Sequence, residues 1–197
     1  MRPVLASASK TRAGMLAAAG LVVDLDPAAI DERALDAGWT AEGLGPDEIA
    51  VRLAEAKARA VANRHPGRIV IGADQTLALG TRRFSKPSGL EAAREQLMAL
   101  RGRSHQLHAG IAVLRDDAVL LRTVSTTIMH VRAFSDAFLD GYLRAMGSKV
   151  LDSVGCYQVE GLGIQLFERI EGDWFTVLGM PLLPLLDVLR QEGALPA

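Results

Sequence analysis

The sequence predicts an α/β domain built on a mixed sheet, and three observations carry that expectation. Apolar runs of strand length alternate with segments whose apolar residues recur at helical spacing. Arg68–Ala73 is a continuous, β-branched apolar run of the kind buried on both faces of a sheet. Gln106–Arg115 and Ala118–Met129 are strand-like and separated only by Asp116-Asp117, which places an antiparallel pair inside the alternating pattern. The 197 residues suffice for one compact domain, so the chain is read as a single domain over 1–197.

In chain order, Val4-Leu5-Ala6 reads as a short strand that enters a tight loop with Ser7 and Ser9, and Ala13–Ala19 as a helix. Leu21–Leu25 reads as a strand, and the glycines between 36 and 46 predict a loop. Pro46-Asp47-Glu48 opens a helix that runs to about Asn63, with Ile49, Leu53, Ala56 and Ala60 at its spacing. The Arg68 strand ends at Asp74-Gln75, and an apolar stretch resumes at Thr76–Leu79. Leu90–Leu100 and Ser135–Ala145 read as helices, the latter capped by Ser135. Ile164–Ile170 reads as a strand beyond a glycine-rich zone, and Pro181–Arg190 as a closing helix.

Composition excludes several classes. Lys and Arg total 22 against 23 Asp and Glu, and the aromatics are only five Phe, two Trp and two Tyr, so a nucleic-acid partner is not expected. No apolar run approaches membrane-spanning length, and a lone cysteine, Cys156, precludes an internal disulfide. These features suit a cytoplasmic protein with no membrane partner. No His and Cys cluster has zinc spacing, and no Walker A sequence is present. His65, His108 and His130 show no evident partners, Arg101–His105 reads as a helix C-cap and turn, and Cys156 and the Trp174-Phe175 pair as packing residues.

The stretch from Ser7 to Arg12 joins two hydroxyls and two cations to a helix start, a good place for phosphates, although Ser9 also fits an ordinary N-cap. Asp74 follows a buried strand, where ligands bind in α/β sheets, or else caps a loop. Ser7-Ala8-Ser9-Lys10-Thr11-Arg12 resembles the N-terminal motif of the Maf family of nucleoside triphosphate pyrophosphatases. Ile30-Asp31-Glu32, Glu55-Ala56-Lys57-Ala58, Gly72-Ala73-Asp74-Gln75 and Ser85-Lys86-Pro87 resemble further family motifs in the same order, as does Gly155–Leu183.

That resemblance implies an elongated mixed sheet flanked by helices, with two lobes around a nucleotide cleft, of the Ham1-like and ITPase-like kind. It implies hydrolysis of a nucleoside triphosphate between the α- and β-phosphates, a divalent metal cation (Mg2+, Mn2+ or Co2+), and a homodimer. In the family's pattern Asp74 is the general base and a candidate metal ligand, Glu32 an acidic metal or water partner, and Lys57 and Lys86 phosphate lysines. Ser7, Ser9 and Arg12 fall to phosphate binding. Ser85 stands where the family carries Gly before the Lys-Pro pair.

Two departures from the deoxythymidine and uridine triphosphate branch, Gln75 after Asp74 and Glu160 within Gly155–Gly161, resemble the branch that hydrolyses 7-methylguanosine triphosphate. A guanine edge offers two donors, N1–H and N2–H2, and a carboxylate accepts both, so Glu160 is the expected base reader. The same chemistry on deoxythymidine or uridine triphosphate, and a non-catalytic regulator of septum formation, are the competing readings. The joint presence of Asp74, both lysines and the Ser7–Arg12 loop favours an enzyme.

Overall fold

The computed structural model describes residues 1–196. Its elements are β1 (Val4–Leu5), α1 (Lys10–Ala18), β2 (Asp24–Leu25), α2 (Glu32–Ala41), α3 (Pro46–Ala62), β3 (Ile69–Leu79), β4 (Arg82–Phe84) and α4 (Leu90–Leu100). There follow β5 (Ser104–Arg115), β6 (Ala118–Val131), α5 (Asp136–Met146), β7 (Phe167–Glu171), α6 (Trp174–Val177) and α7 (Leu182–Gln191), with 3-10 turns at Gly147–Asp152 and Leu162–Leu166. The strands form one mixed sheet in the order β2-β1-β3-β5-β6-β7, with β4 on β3. β1 runs parallel to β2 and β3, with Leu5 opposite Leu25 and Ile71. β4 is antiparallel to β3, and β7 to β6. The mixed α/β architecture is therefore the one the alternating pattern implies.

The chain falls into two compact units. The first comprises Met1–Gln75, His108–Ser125 and the segment from Asp173 onward; the second comprises Thr76–Leu107 and Thr126–Gly172.

In the first unit the period-2 geometry of strands sorts the core onto two faces. Leu5, Ile71, Ala73, Ile111 and Val113 pack with Leu16 of α1 and with Leu185 and Leu189 of α7. Val4, Val70, Ala112 and Leu114 pack with Ala54, Ala58 and Val61 of α3. The doubly buried strand expected from Arg68–Ala73 is thus present, and it continues to Leu79. α3 starts where Pro46 sets the helical φ at its first position, with Asp47 and Glu48 in the first turn against the positive end of the dipole.

Two glycines set how closely α3 lies on the sheet. A Cβ at Gly72 would stand 1.9 Å from the Ala54 carbonyl oxygen and 2.9 Å from the Ala58 nitrogen. A Cβ at Gly110 would stand 2.5 Å from the Val51 nitrogen. The small residues Ala50, Ala54 and Ala58 complete the close approach from the helix side.

In the second unit Leu97 and Leu100 of α4, Leu107, Met129, Leu139 of α5, Val150 and Leu166 are buried. Gly147, at the end of α5, has φ +54 and turns the chain into the first 3-10 stretch.

Three expectations need correction. Residues 36–41 are helical rather than loop, because Asp31 caps α2 by accepting from the Ala34 nitrogen at 3.0 Å and Gly38 keeps an ordinary helical φ. The helix stops at Gly43, whose φ is +83, so only the later glycines act as breakers. Residues 162–166 form a 3-10 turn, and β7 begins only at Phe167. The strand expected over Leu21–Leu25 reduces to Asp24–Leu25. Among the described residues no helix is long and apolar enough to cross a membrane.

Gly72→Ala is expected to cost about 1–3 kcal/mol, the usual penalty of overpacking, measured by urea unfolding. Gly38→Ala, in an open helical position with nothing within 4 Å of the added Cβ, should instead gain about 0.5–1 kcal/mol in the same assay.

Candidate functional site

The site grows from the α3–β3 contact. Val70, Gly72 and Asp74 alternate onto the face that α3 covers, and Lys57 lies on the buried stripe of α3 between Ala54 and Ala58. Lys57 therefore meets the Asp74 carboxylate, its Nζ donating to Oδ1 at 2.6 Å. The same ammonium lies 2.9 Å from Glu32 Oε2, in the first turn of α2. The Lys57 side chain is 9% exposed, Asp74 13% and Glu32 48%, so the three charges run from the interior towards solvent.

Arg12 is the fourth charge. Ser9 caps α1 by accepting from the Arg12 nitrogen at 3.3 Å, which turns the Arg12 side chain into the unit. Its Nε donates to the Gly179 carbonyl at 2.9 Å, and its Nη1 to the Ala73 carbonyl at 2.9 Å and to Ser7 Oγ at 3.2 Å. Ser7 Oγ also accepts from the Ser9 nitrogen at 3.3 Å. With both acceptor positions of the hydroxyl taken, its proton is left to donate. Gln75 turns its amide nitrogen to the carbonyls of Thr176 (2.9 Å) and Val177 (3.2 Å).

Burial holds the Asp74 carboxyl above its ordinary range, against the opposing pull of Lys57 and Arg12, while Glu32 pushes it the same way as burial. Burial likewise lowers the Arg12 guanidinium, offset by Asp74 and Glu32. A desolvated carboxylate beside a lysine is a costly arrangement that stability alone does not require. It is also a more basic carboxylate than one in water.

The first unit thus brings together Ser7, Ser9, Arg12, Glu32, Lys57, Asp74 and Gln75. Glu32 and Asp31, adjacent in sequence, part company: Asp31 is the N-cap of α2, and Glu32 faces Lys57. Lys86 and Glu160 belong to the second unit, both exposed, Lys86 just after β4 and Glu160 in the turn before the second 3-10 stretch. Gly179 is a residue that the sequence reading missed. Its φ is +95, and a Cβ there would stand 3.3 Å from Arg12 Nη2 and 3.4 Å from Nε. Asp173, which caps α6 by accepting from the Thr176 nitrogen at 2.7 Å, was also missed. The signals were an Asp three residues before Thr176 and a Gly two before Pro181.

Two expectations about aromatics and histidines change. Phe175 packs on the core, but Trp174 is 44% exposed. His65 Nε2 lies 2.8 Å from Asp26 Oδ2, and His130 lies 2.7 Å from Ser104 Oγ and 3.2 Å from Glu171. Both have partners far away in sequence, where single-sequence reading cannot find them.

Among the described residues no three His, Cys, Asp or Glu side chains gather as a metal cage. Two carboxylates sharing one cation are nevertheless what a magnesium-like ion uses, because it takes one or two carboxylates and completes its shell with phosphate oxygens and water. The Lys57 ammonium between Asp74 and Glu32 shows that this pair of acids accepts positive charge.

The central strand of a mixed α/β sheet thus delivers an acid to a buried lysine, beside a helix start that carries serine and arginine. The profile of Maf-like proteins matches residues 2–192, and the chain belongs to that family. It is 52% identical over 199 residues to the 7-methyl-GTP pyrophosphatase of Rhizobium meliloti (strain 1021), with all of both chains covered. It is 50% identical to the 7-methyl-GTP pyrophosphatase of Mesorhizobium japonicum, covering 98% of this chain and 96% of that one. It is also 50% identical to a nucleoside triphosphate pyrophosphatase of Rhodopseudomonas palustris, at 98% and 94% coverage. Among solved structures it resembles a HAM1 protein from Coxiella burnetii at 20% identity and TM-score 0.43, over 68% of this chain and 74% of that one.

The raised Asp74 pKa gives a signed expectation for the metal-free protein. Folding binds this proton more tightly, so the penalty is absent below the unfolded pKa and fully present above the folded one. Asp74→Asn, which mimics the protonated acid, should raise the melting temperature at pH 7, and the gain should shrink as the pH falls towards about 4, where an ordinary carboxylate titrates. Calorimetry of both proteins across that range checks the sign.

Proposed function

We propose that the protein is a nucleoside triphosphate pyrophosphatase, which adds water at the α-phosphorus and breaks the α–β anhydride to release a nucleoside monophosphate and pyrophosphate. The observation that carries this reading is the Lys57 ammonium held between Asp74, midway along β3, and the more exposed Glu32. The names of the full-length relatives support it.

Triphosphate hydrolysis asks for charge neutralisation and an aligned water more than for covalent chemistry. Asp74, kept more basic than a solvated acid, takes the proton of the attacking water. Lys57 holds that carboxylate in place and supplies positive charge to the phosphate oxygens as negative charge builds on them. Ser7 donates its hydroxyl to a phosphate oxygen, with Arg12 fixing the Ser7 oxygen and the peptide carbonyl just before Asp74. Lys86 is assigned to phosphate by the family resemblance, as a point charge. Asp74 and Glu32 are the residues that would hold a divalent cation, Mg2+, Mn2+ or Co2+, and when bound it neutralises phosphate charge and lowers the pKa of water.

The substrate we favour is 7-methyl-GTP. Glu160 is acceptor-only and suits the two donors of the guanine edge, and its charge suits a purine made cationic by methylation.

A panel of 7-methyl-GTP, deoxythymidine, uridine, cytidine and inosine triphosphates, with Mg2+ or Mn2+, tests the reading by quantifying pyrophosphate and monophosphate. Release led by the methylated guanine is expected; release led by pyrimidines overturns the base assignment, and none at all overturns the enzyme. Asp74→Asn should lower kcat by about 100- to 10,000-fold and Lys57→Met by about 100- to 1,000-fold, with the triphosphate still bound by the Asn variant in calorimetric titration.

A further inference from the structure

The second unit buries a polar pair that the proposed chemistry does not use. His105, at the start of β5, is 1% exposed, and its Nε2 lies 2.6 Å from the hydroxyl of Tyr157. The other ring nitrogen, Nδ1, is buried with no hydrogen-bond partner. Burial pushes the imidazole down to about 3, with His130 adding to the effect, and pushes the Tyr157 hydroxyl well up. Both groups are therefore neutral at working pH, and their contact does not change with it.

The residues around Tyr157 brace both its ring and the backbone of the turn. Gly155 packs against it so closely that a Cβ would stand 2.2 Å from the ring. Phe167 meets the ring edge-on, with centroids 4.8 Å apart. Ser153 Oγ accepts from the Tyr157 nitrogen at 3.1 Å and donates to its carbonyl at 2.8 Å. Between them Cys156 sits at φ +60, a left-handed conformation that a side chain rarely adopts, with its carbonyl accepting from the Tyr142 hydroxyl at 3.0 Å. The Gln96 amide donates to the Val154 carbonyl. On the far side Gly163 lies against the backbone of Gln158, where a Cβ would stand 2.5 Å from the carbonyl oxygen. The Gly161 nitrogen donates to that same carbonyl at 3.2 Å. Glu160, three residues after Tyr157, is the charged residue of this turn, and it is exposed together with Gly161 and Leu162.

An apolar pair would fill this space at least as stably, since a buried polar pair that leaves Nδ1 unpaired repays little of its desolvation. What the hydroxyl–imidazole bond adds is direction: it allows one rotation of the ring and hence one position of the turn. We propose that His105 and Tyr157 are positioning residues that fix the Glu160 turn and thereby set base selectivity. The proposal rests on the reading that Glu160 takes the base.

The test compares kcat/KM for 7-methyl-GTP and for UTP, taken as a ratio, in the full-length protein. Tyr157→Phe removes one oxygen and should lower the ratio roughly tenfold, about what one hydrogen bond is worth, with kcat on UTP unchanged. Glu160→Gln should lower it likewise, and the double variant no further, because both act through one carboxylate. His105→Gln, which keeps a hydrogen-bonding group, should retain more of the ratio than His105→Leu. An unchanged ratio in Tyr157→Phe with a collapsed one in Glu160→Gln overturns the positioning role and leaves the base reading standing. An unchanged ratio in Glu160→Gln overturns the base reading itself, and additive losses in the double variant show that Tyr157 acts elsewhere.

Discussion

The close seating of α3 on β3 is the constraint from which the site follows. Without a side chain at Gly72, the Ala54 and Ala58 backbone comes down onto the strand, and Lys57 is carried to within 2.6 Å of Asp74. The contact distance is set by backbone against backbone, which does not rotate or relax as side chains do. A lysine reaching a carboxylate from a looser helix would have rotamers to choose from; this one has few. The ion pair is preorganised by packing several residues away from it.

The remaining charges are arranged around that pair at some expense. Arg12 is buried and spends three donor contacts on Gly179, Ala73 and Ser7, so its charge acts as fixed scaffolding beside Asp74. Burial of Asp74 works against folding and leaves its carboxylate more basic than one in water. Glu32 lies nearer solvent than the other two charges, at the N-terminal turn of a helix whose cap is its own neighbour.

Much of this was legible in the sequence, and the reasons are local. The run Ile69-Val70-Ile71-Gly72-Ala73 announces a doubly buried strand, and Pro46 with its acids announces the start of α3. Lys57 was legible only through the likeness of Glu55-Ala56-Lys57-Ala58 to the family motif, since helical spacing alone leaves a mid-helix lysine at the surface. What could not be read is what depends on partners far along the chain. The role of Gly179 needs Arg12, the role of His65 needs Asp26, and Asp31 and Glu32 look alike until α2 forms and gives them different directions. Gly38 misled for the opposite reason: a glycine in a helix is indistinguishable in sequence from one that ends it.

The bond from Arg12 to Gly179 spans 167 residues. A contact at that separation closes a long loop, whose entropic cost the other contacts of the unit help to meet. A chain emerging from the ribosome exposes its strand–helix beginning long before Asp173, Thr176 and Gly179 exist to receive Arg12 and Gln75. The first unit thus joins early and late sequence, and it closes only once Gly179 is present. A polypeptide halted before residue 179 lacks the carbonyl that Arg12 Nε donates to, and so leaves a buried guanidinium short of one partner.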